Sequence, residues 1–205
     1  MGKLLLFDYD GVLVESLNYY YEKVKGALNY MGLDLIKTVE DYLTLFEDNF
    51  YASLVKRGVD LAQFMVAIKA VAEPRNSKHV HPFMIPIVRS LAQRYPLIVI
   101  SSNSQESIAP LLHEAEILEC FQAIMGAETA FSKEEKINLA RAKAEARGED
   151  TYYIGDTAGD IKEGKAVRVK TIAVTWGWHK KDRLAEAGAD FLVEHPEELL
   201  EILQK

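Results

Sequence analysis

The segment KLLLFDYDGVLVES (residues 3–16) joins a short apolar run to two aspartates, and it decides how the rest of the chain is interpreted. A short apolar run that ends at a polar residue predicts a strand buried on both faces. Side chains two positions apart on an extended chain point to the same side, so Asp8 and Asp10 are expected to lie together at the end of this strand. Their carboxylates repel each other, and the preceding Leu-Leu-Leu-Phe run offers no compensating charge. The segment therefore predicts that something else supplies positive charge at this strand end.

Further short apolar runs follow, and stretches with helical spacing of apolar residues separate them. The runs lie at 97–101, 121–125, 151–155, 171–176 and 190–193. One of the intervening helices is predicted over residues 134–147. Alternating strands and helices imply parallel strands joined by crossover helices. This pattern predicts an α/β fold, with a Rossmann-like, doubly wound parallel sheet as its core.

The pattern changes between the first and second strands, where the apolar spacing is helical from residue 17 to residue 80. Three apolar faces can be traced there, and they begin near Leu17, Val39 and Leu61. More than sixty residues of helix are too many for a single crossover. We therefore predict a helical cap domain (17–80) inserted into an α/β core domain that consists of residues 1–16 and 81–205.

The composition limits the possible partners and locations. The 205 residues carry a formal net charge of −7, which argues against a groove for nucleic acid or a surface for anionic membranes. Cys120 is the one cysteine, so no internal disulfide can form and a reducing cytoplasm is the expected location. The LLLF run is too short for a signal peptide or a membrane-spanning helix. These features predict a soluble cytoplasmic protein with no nucleic-acid or membrane partner, and they leave the oligomeric state open.

Ligands of open parallel sheets bind beyond the carboxyl ends of the strands, so the chemistry is expected at those ends. Several polar residues are predicted to meet there: Asp8, Asp10, Ser101, Ser102, Asn103, Lys133, Asp156 and Asp160. Two carboxylates about 4 Å apart repel by roughly 4 kcal/mol at an effective dielectric constant of about 20. A cation is therefore expected, and an all-oxygen set of ligands favours Mg²⁺. Chemistry that spreads negative charge over phosphate oxygens would use such a set.

Four segments, in order along the chain, resemble the motifs of the haloacid dehalogenase superfamily. They are FDYDGVLVES (7–16), LIVISSN (97–103), SKEEKI (132–137) and YYIGDTAGD (152–160). The segment TIAVTWGW (171–178) is similar to the strand that follows the fourth motif in the phosphoglycolate phosphatase-like branch. The helical insertion resembles the family's cap. One departure is Val12, which stands where the first motif usually has threonine.

The resemblance implies a Mg²⁺-dependent phosphatase that acts on a small phosphorylated metabolite through an aspartyl-phosphate intermediate. Asp8 would be the nucleophile, and Asp10 would be the general acid and then the general base. Lys133 would balance the charge of the phosphoryl group, although Lys136 is an alternative for this role. The residue two positions after the nucleophile separates the branches, and Asp10 disfavours dehalogenation because dehalogenases lack an aspartate there.

The resemblance also implies the ligands of the metal and of the phosphate. The metal site would be formed by Asp8, Asp10 through its backbone carbonyl, Asp156 and Asp160, the last of which completes or orients the shell. The phosphate contacts would be Ser102, Asn103 and Gly11. Ser101 remains an alternative to Ser102.

Two other functions and several substrates stay open at this stage. A phosphosugar mutase keeps the same core, and a catalytically vestigial phosphate-binding regulatory module would keep the same fold. The resemblance implies a phosphoglycolate-like phosphomonoester as the first candidate substrate, and pyrophosphate or a sugar phosphate would fit as well. The predicted cap offers possible contacts for a second anionic group, namely Asn49, Lys56, Arg57, Arg75 and Lys78.

Overall fold

The computed structural model describes residues 2–75 and 77–204. The strands, in chain order, are β1 (Leu4–Asp8), β2 (Val14–Glu15), β3 (His79–Val80), β4 (Leu97–Ile100), β5 (Ala123–Met125), β6 (Thr151–Gly155), β7 (Lys170–Val174) and β8 (Phe191–Val193). The helices are α1 (Leu17–Tyr30), α2 (Val39–Leu43), α3 (Phe50–Lys56), α4 (Leu61–Ala70), α5 (Met84–Ala92), α6 (Gln105–Glu114), α7 (Lys133–Lys143), α8 (Ala158–Ala166), α9 (Lys181–Glu186) and α10 (Glu198–Gln204). Within these described residues, no helix is long and apolar enough to cross a membrane. The cytoplasmic location stays a prediction.

Six strands form one parallel sheet in the order β5-β4-β1-β6-β7-β8. The chain moves outward from β1 to β4 and β5, returns to β6 on the other side of β1, and then continues to β7 and β8. The strand order therefore reverses at β1, which is the switch point where ligands of such sheets bind. The predicted α/β fold with a doubly wound parallel sheet is confirmed.

The central strand β1 is buried on both faces, as its apolar run predicts. Leu5 and Phe7 point into one apolar layer, which α5, α6 and α10 complete. Leu4 and Leu6 point into the opposite layer, against α7. Because successive side chains of a strand alternate between faces, a four-residue apolar run anchors helices on both sides of the sheet.

The helices α1 to α4 form a separate apolar core above the carboxyl ends of the strands. Its buried members include Leu28, Leu45, Leu54 and Phe64. The chain enters and leaves this cap through a small antiparallel ribbon, in which β2 pairs with β3. The predicted domain boundaries, at 16/17 and 80/81, fall beside these two strands.

The second apolar face of the cap differs from the predicted continuous helical spacing. It is divided into α2, a short 3₁₀ helix over Thr44–Phe46, and α3. Thr38 and Asp41 cap the start of α2 reciprocally, and the Asn49 side chain accepts a hydrogen bond from the Ala52 amide at the start of α3. A capping side chain accepts a hydrogen bond from a backbone N–H that would bond to a carbonyl in a continuous helix. A new helix therefore begins after Asn49.

The cap is attached to the core near Trp178 and His179, which follow β7. The Trp178 ring packs edge-on against Phe46, with the ring centres 4.9 Å apart. His179 Nε2 donates a hydrogen bond to the Leu43 carbonyl (3.1 Å), and its Nδ1 accepts one from the Ala158 amide (2.9 Å). Burial lowers the pKa of His179 below its usual value, so the ring stays neutral in this two-sided contact.

Candidate active site

Asp8 is the last residue of β1 and lies at the switch point of the sheet. Its Oδ1 accepts a hydrogen bond from the Tyr9 amide (2.8 Å), and its Oδ2 lies 2.9 Å from Lys133 Nζ. Burial raises the pKa of Asp8, and the ammonium of Lys133 opposes that shift. The carboxylate is therefore held in one orientation by an amide and a lysine, as a nucleophile at this position requires.

Lys133 is the first residue of α7, and the Ser132 side chain caps that helix. The Lys133 backbone N–H donates to Glu163 Oε1 (2.8 Å), while its ammonium lies between Asp8 and Asp160, 2.5 Å from Asp160 Oδ1. Burial would lower the pKa of Lys133, but the two carboxylates outweigh it and raise that pKa above its usual value. The lysine is thus a fixed positive charge beside the predicted nucleophile.

Asp156 follows β6 and is fully buried. Its Oδ2 accepts a hydrogen bond from the Trp178 amide (2.6 Å), whereas its Oδ1 is buried without a hydrogen-bond partner in the described residues. A Cβ atom at Gly11 would lie 1.9 Å from Asp156 Oδ2, and one at Gly177 would lie 2.3 Å from Asp156 Cβ. Gly11 also has a positive φ of 74°, so glycine is required there both by conformation and by this close approach.

Asp160 lies in the first turn of α8, and both of its oxygens accept hydrogen bonds from the protein. Oδ1 accepts from Lys133 and from the Tyr153 hydroxyl (2.8 Å), and Oδ2 accepts from the Thr157 amide (3.1 Å) and hydroxyl (2.6 Å). Burial alone would raise the pKa of Asp160, but Lys133 and these donors lower it below its usual value. Asp160 therefore orients Lys133 and the start of α8.

Asp8, Asp156 and Asp160 form a buried cluster in which one oxygen of each lies within 4.8 Å of the others. Burial and mutual repulsion raise the pKa of Asp156 well above its usual value, so the cluster calls for a cation in addition to Lys133. The oxygen donors and the orphaned Asp156 Oδ1 fit a hard divalent cation such as Mg²⁺. The Asp10 carboxylate lies outside this group of three.

Asp10 does not continue β1, because the strand ends at Asp8 and the chain turns through Gly11. The prediction that strand alternation alone pairs the two aspartates was therefore too simple. Asp10 Oδ1 accepts a hydrogen bond from Ser16 Oγ (2.7 Å), and its Oδ2 accepts one from the Asn103 side chain. Burial raises the pKa of Asp10 to about 6, although these hydrogen bonds oppose the shift. A carboxyl group with this pKa can both donate and accept a proton near neutral pH.

The loop after β4 distinguishes the two serines that the sequence left open. Ser101 is fully buried, and its hydroxyl accepts a hydrogen bond from the Asn103 amide (3.1 Å). Ser102 is half-buried and lines the cavity above the site together with Asn103 and Asp10. This placement favours Ser102 as the residue that faces a ligand.

The two candidate lysines differ in the same way. Lys136 Nζ donates to the Ser101 carbonyl (2.5 Å), and burial beside Lys133 lowers its pKa to about 8. Lys136 thus supports the loop after β4, whereas Lys133 contacts the nucleophile candidate directly.

Sequence reasoning missed several residues that shape the site. The Tyr153 hydroxyl donates a hydrogen bond to Asp160, and Glu163 accepts one from the backbone N–H of Lys133. Ser16 Oγ donates to Asp10. The Trp178 amide donates to Asp156. One signal was readable, because Thr157-x-x-Asp160 is the pattern of a helix capping box. The contact between the Trp178 amide and Asp156 had no such signal, because a backbone N–H carries no residue identity.

A cavity of about 360 Å³ lies between the cap and the core. Its floor includes Asp10, Ser102 and Asn103, and its walls belong mainly to the cap. The Tyr51 hydroxyl donates to the Ser102 carbonyl (2.8 Å), so a cap helix contacts the floor directly. A ligand in this cavity would lie between the cap and Asp10.

Comparisons with known proteins give matches over most of the chain. The chain matches the sequence model of a family described as haloacid dehalogenase-like hydrolase over residues 5–174. A phosphoglycolate phosphatase of Synechococcus elongatus is 24% identical over 202 residues, which cover 96% of this chain and 95% of the relative. A pyrophosphatase PpaX of Listeria innocua is 25% identical over 215 residues, which cover 99% of this chain and 98% of the relative.

A solved structure gives the same result at the level of the fold. The crystal structure described as a predicted phosphatase from Clostridium acetobutylicum superposes with a TM-score of 0.82 at 22% identity. The superposition covers 100% of both chains. The fold is therefore shared over the whole length.

Proposed function

The chain belongs to the haloacid dehalogenase-like hydrolases, since the family's sequence model matches residues 5–174, and on this premise we propose that it is a Mg²⁺-dependent phosphatase of small phosphomonoesters. The family recognised from the four motifs is thereby confirmed. One observation carries the proposal: Asp8 is held by Lys133 beside Asp156 Oδ1, which has no hydrogen-bond partner among residues 2–75 and 77–204. Asp10, with a pKa of about 6, faces the cavity.

The cation would be held by the Asp8 and Asp156 carboxylates and the backbone carbonyl of Asp10. Bound there, Mg²⁺ would withdraw negative charge from the phosphoryl oxygens. Asp160, whose oxygens are both engaged by protein donors, supports this site by orienting Lys133.

In the first step, a carboxylate oxygen of Asp8 attacks phosphorus and the bond between phosphorus and the leaving oxygen breaks. The electron pair of that bond stays with the leaving oxygen, to which protonated Asp10 donates its proton. The products are an aspartyl-phosphate on Asp8 and a free alcohol. The raised pKa of Asp10 keeps a substantial fraction of it protonated near pH 6.

In the second step, Asp10, now a carboxylate, takes a proton from a water molecule as that water attacks the phosphorus. The bond between phosphorus and the Asp8 oxygen breaks, which releases inorganic phosphate and regenerates both aspartates. Lys133 offsets the negative charge that builds on the phosphoryl group and on Asp8 in both steps. Ser102, Asn103 and the backbone at Gly11 are proposed to hold the phosphate oxygens.

The enclosed position of the cavity supports a small metabolite as the substrate. A cap that closes over the site excludes bulk water and positions the substrate. The relatives named above act, by their names, on phosphoglycolate and on pyrophosphate, and either compound is small enough for the cavity.

The proposal is tested by phosphate release from p-nitrophenyl phosphate, with Mg²⁺ and with EDTA, for wild type and Asp8→Asn. Asp182→Asn makes the same chemical change at an exposed residue of α9 and is the matched control. Metal-dependent release that is lost in Asp8→Asn and kept in Asp182→Asn supports the proposal. Release that survives in Asp8→Asn overturns it.

Two further measurements separate the alternative functions. Transfer of phosphate between positions of a sugar phosphate, with little release, would identify a phosphosugar mutase. Calorimetric binding of inorganic phosphate with no turnover of any phosphomonoester would identify a vestigial regulatory module.

A further inference from the structure

The cavity above the aspartates has aromatic walls. Phe46 and Phe50 stack with their ring centres 5.2 Å apart, and Tyr42 and Trp178 meet Phe46 at distances of 5.1 Å and 4.9 Å. Further rings at the wall belong to Tyr19, Tyr20, Tyr51 and Phe64, and Met65 and Ile68 add aliphatic surface. Such walls favour a ring, because aromatic pairs gain energy in offset and edge-to-face arrangements beyond the burial of their surface.

The buried charge at the cavity wall is already neutralised. Lys23 is 8% exposed, and its Nζ lies 2.5 Å from Glu73 Oε1. The Tyr19 hydroxyl also donates to Glu73, which lines the cavity itself. Lys69 lines the cavity too, but it is exposed to solvent. In the described part of the chain, no other lysine and no arginine lines the cavity.

The five cap residues expected to contact a second anionic group do not line the cavity. Asn49 binds Glu163, Lys56 binds Asp48, and Arg57 binds Thr44. Arg75 is exposed, and Lys78 donates to the Tyr20 hydroxyl and to Ser107 Oγ. A second anion would enter an aromatic cavity beside Glu73, where Lys23 is already paired and Lys78 is engaged by Tyr20 and Ser107 at the wall.

The size of the cavity also favours a leaving group with a ring. Its volume of about 360 Å³ falls within the range of roughly 300–1,000 Å³ that is typical of sites for larger organic ligands. A two-carbon leaving group would leave most of this space to water. A leaving group with a ring would displace that water and bury apolar surface.

We infer that the substrate is a phosphomonoester whose leaving group is uncharged and carries an aromatic or similarly apolar ring. This inference rests on the proposed phosphatase function and specifies its substrate class. The phosphate lies at the floor, where Asp10, Ser102 and Asn103 face the cavity, and the ring lies between the aromatic walls of the cap. Phosphoglycolate and pyrophosphate are then poor substrates, because each carries a second anionic group.

The test compares 2-phenylethyl phosphate with ethyl phosphate, because both release a primary alcohol and differ by the ring. We expect kcat/KM to be at least about 50-fold higher for 2-phenylethyl phosphate, from burial of the ring. Phosphoglycolate and pyrophosphate are assayed beside them, and both are expected to fall below 2-phenylethyl phosphate. The assay measures phosphate release at saturating Mg²⁺.

A matched pair of variants on α4 tests the location of the ring. Met65→Trp fills the cavity from its wall, and we expect it to reduce the preference for 2-phenylethyl phosphate over ethyl phosphate by about tenfold or more. Val66→Trp adds the same side chain at the next residue, which is 66% exposed and lies outside the cavity. The preference should be unchanged in Val66→Trp.

The outcomes separate this inference from the proposed function. A preference near one, or the same preference in Met65→Trp as in wild type, overturns the ring site. A higher kcat/KM for phosphoglycolate or pyrophosphate than for 2-phenylethyl phosphate also overturns it. Each of these results leaves the proposed phosphatase function intact if p-nitrophenyl phosphate is still hydrolysed. No hydrolysis of any compound, p-nitrophenyl phosphate included, overturns the proposed function and the inference with it.

Discussion

Asp156 and Asp160 belong to one buried carboxylate cluster, yet they differ in the partners of their oxygens. Asp156 Oδ1 has no donor in the described residues, whereas both oxygens of Asp160 accept hydrogen bonds from side chains or backbone. A carboxylate oxygen without a donor is available to a metal, and one that already accepts two hydrogen bonds is less so. The two aspartates of one motif thus have different functions.

This difference predicts unequal losses of metal affinity. Asp156→Asn removes a direct ligand and should weaken Mg²⁺ binding more than about 100-fold. Asp160→Asn should weaken it by about 10–100-fold, as is usual for a residue that orients the ligands. Calorimetric titration with MgCl₂ measures both values, and circular dichroism checks that each variant is folded. Equal losses in the two variants would contradict the assignment.

The position of Asp10 predicts where turnover stops when its carboxyl group is removed. Asp10→Asn should still be phosphorylated by p-nitrophenyl phosphate, because nitrophenolate leaves without a proton. Hydrolysis of the aspartyl-phosphate lacks its general base and should slow by about 10²–10⁴-fold. Stopped-flow absorbance should therefore show a burst of one equivalent of nitrophenolate and then a slow phase. A slow reaction without a burst would mean that Asp10 is not required mainly as the base.

The hydrogen bond from Ser16 to Asp10 predicts a shift in the pH profile. Burial raises the pKa of Asp10 to about 6 and the Ser16 hydroxyl opposes this, so Ser16→Ala should raise that pKa further. The acid form then persists to higher pH, and the basic limb of kcat/KM for an alkyl phosphate should move up by about one pH unit. Ser16→Thr keeps the hydroxyl and should restore the wild-type profile. A limb that does not move in Ser16→Ala would show that Asp10 does not control it.

The buried His179 predicts a loss of stability in acid. Its pKa is lowered by burial in the folded protein, so the unfolded chain takes up the proton first as the pH falls below about 6.5. The contribution of His179 is complete above that pH and is lost on acidification, by at most about 1.4 kcal/mol per pH unit. Buried carboxyl groups with raised pKa values act in the opposite direction, so the effect must be measured as a difference between variants.

Urea unfolding at pH 7.5 and pH 5.5 measures this difference. His179→Gln can keep both hydrogen bonds without titrating near neutral pH, and its free energy of unfolding should fall less on acidification than that of wild type. His195→Gln changes an exposed histidine and should behave as wild type does. An identical response of wild type and His179→Gln would exclude His179 as a source of acid sensitivity.

The sheet and the residues at its rim could be predicted because both follow from local patterns. Short apolar runs specify strands, and parallel strands bring their carboxyl ends to one edge, where Asp8 and Asp156 lie. The different partners of Asp156 and Asp160 could not be predicted, because they depend on the Trp178 amide and on Tyr153.

The cavity beneath the cap also could not be predicted from the sequence. In the sequence, Phe46 and Phe50 belong to the helical apolar face that begins near Val39, which predicts that both rings pack in the core of the cap. The break at Asn49 changes the direction of the chain between Phe46 and Phe50, and only the packed structure places both rings at the cavity wall.

The central claim is that Asp8 carries the phosphoryl group during turnover. The most direct measurement is rapid acid quenching of Asp10→Asn with p-nitrophenyl phosphate and Mg²⁺, followed by intact-mass analysis and peptide mapping. The account predicts a mass increase of one phosphoryl group, located at Asp8 and absent from the Asp8→Asn/Asp10→Asn double variant. A phosphoryl group on another residue, or hydrolysis that continues in Asp8→Asn, would contradict it.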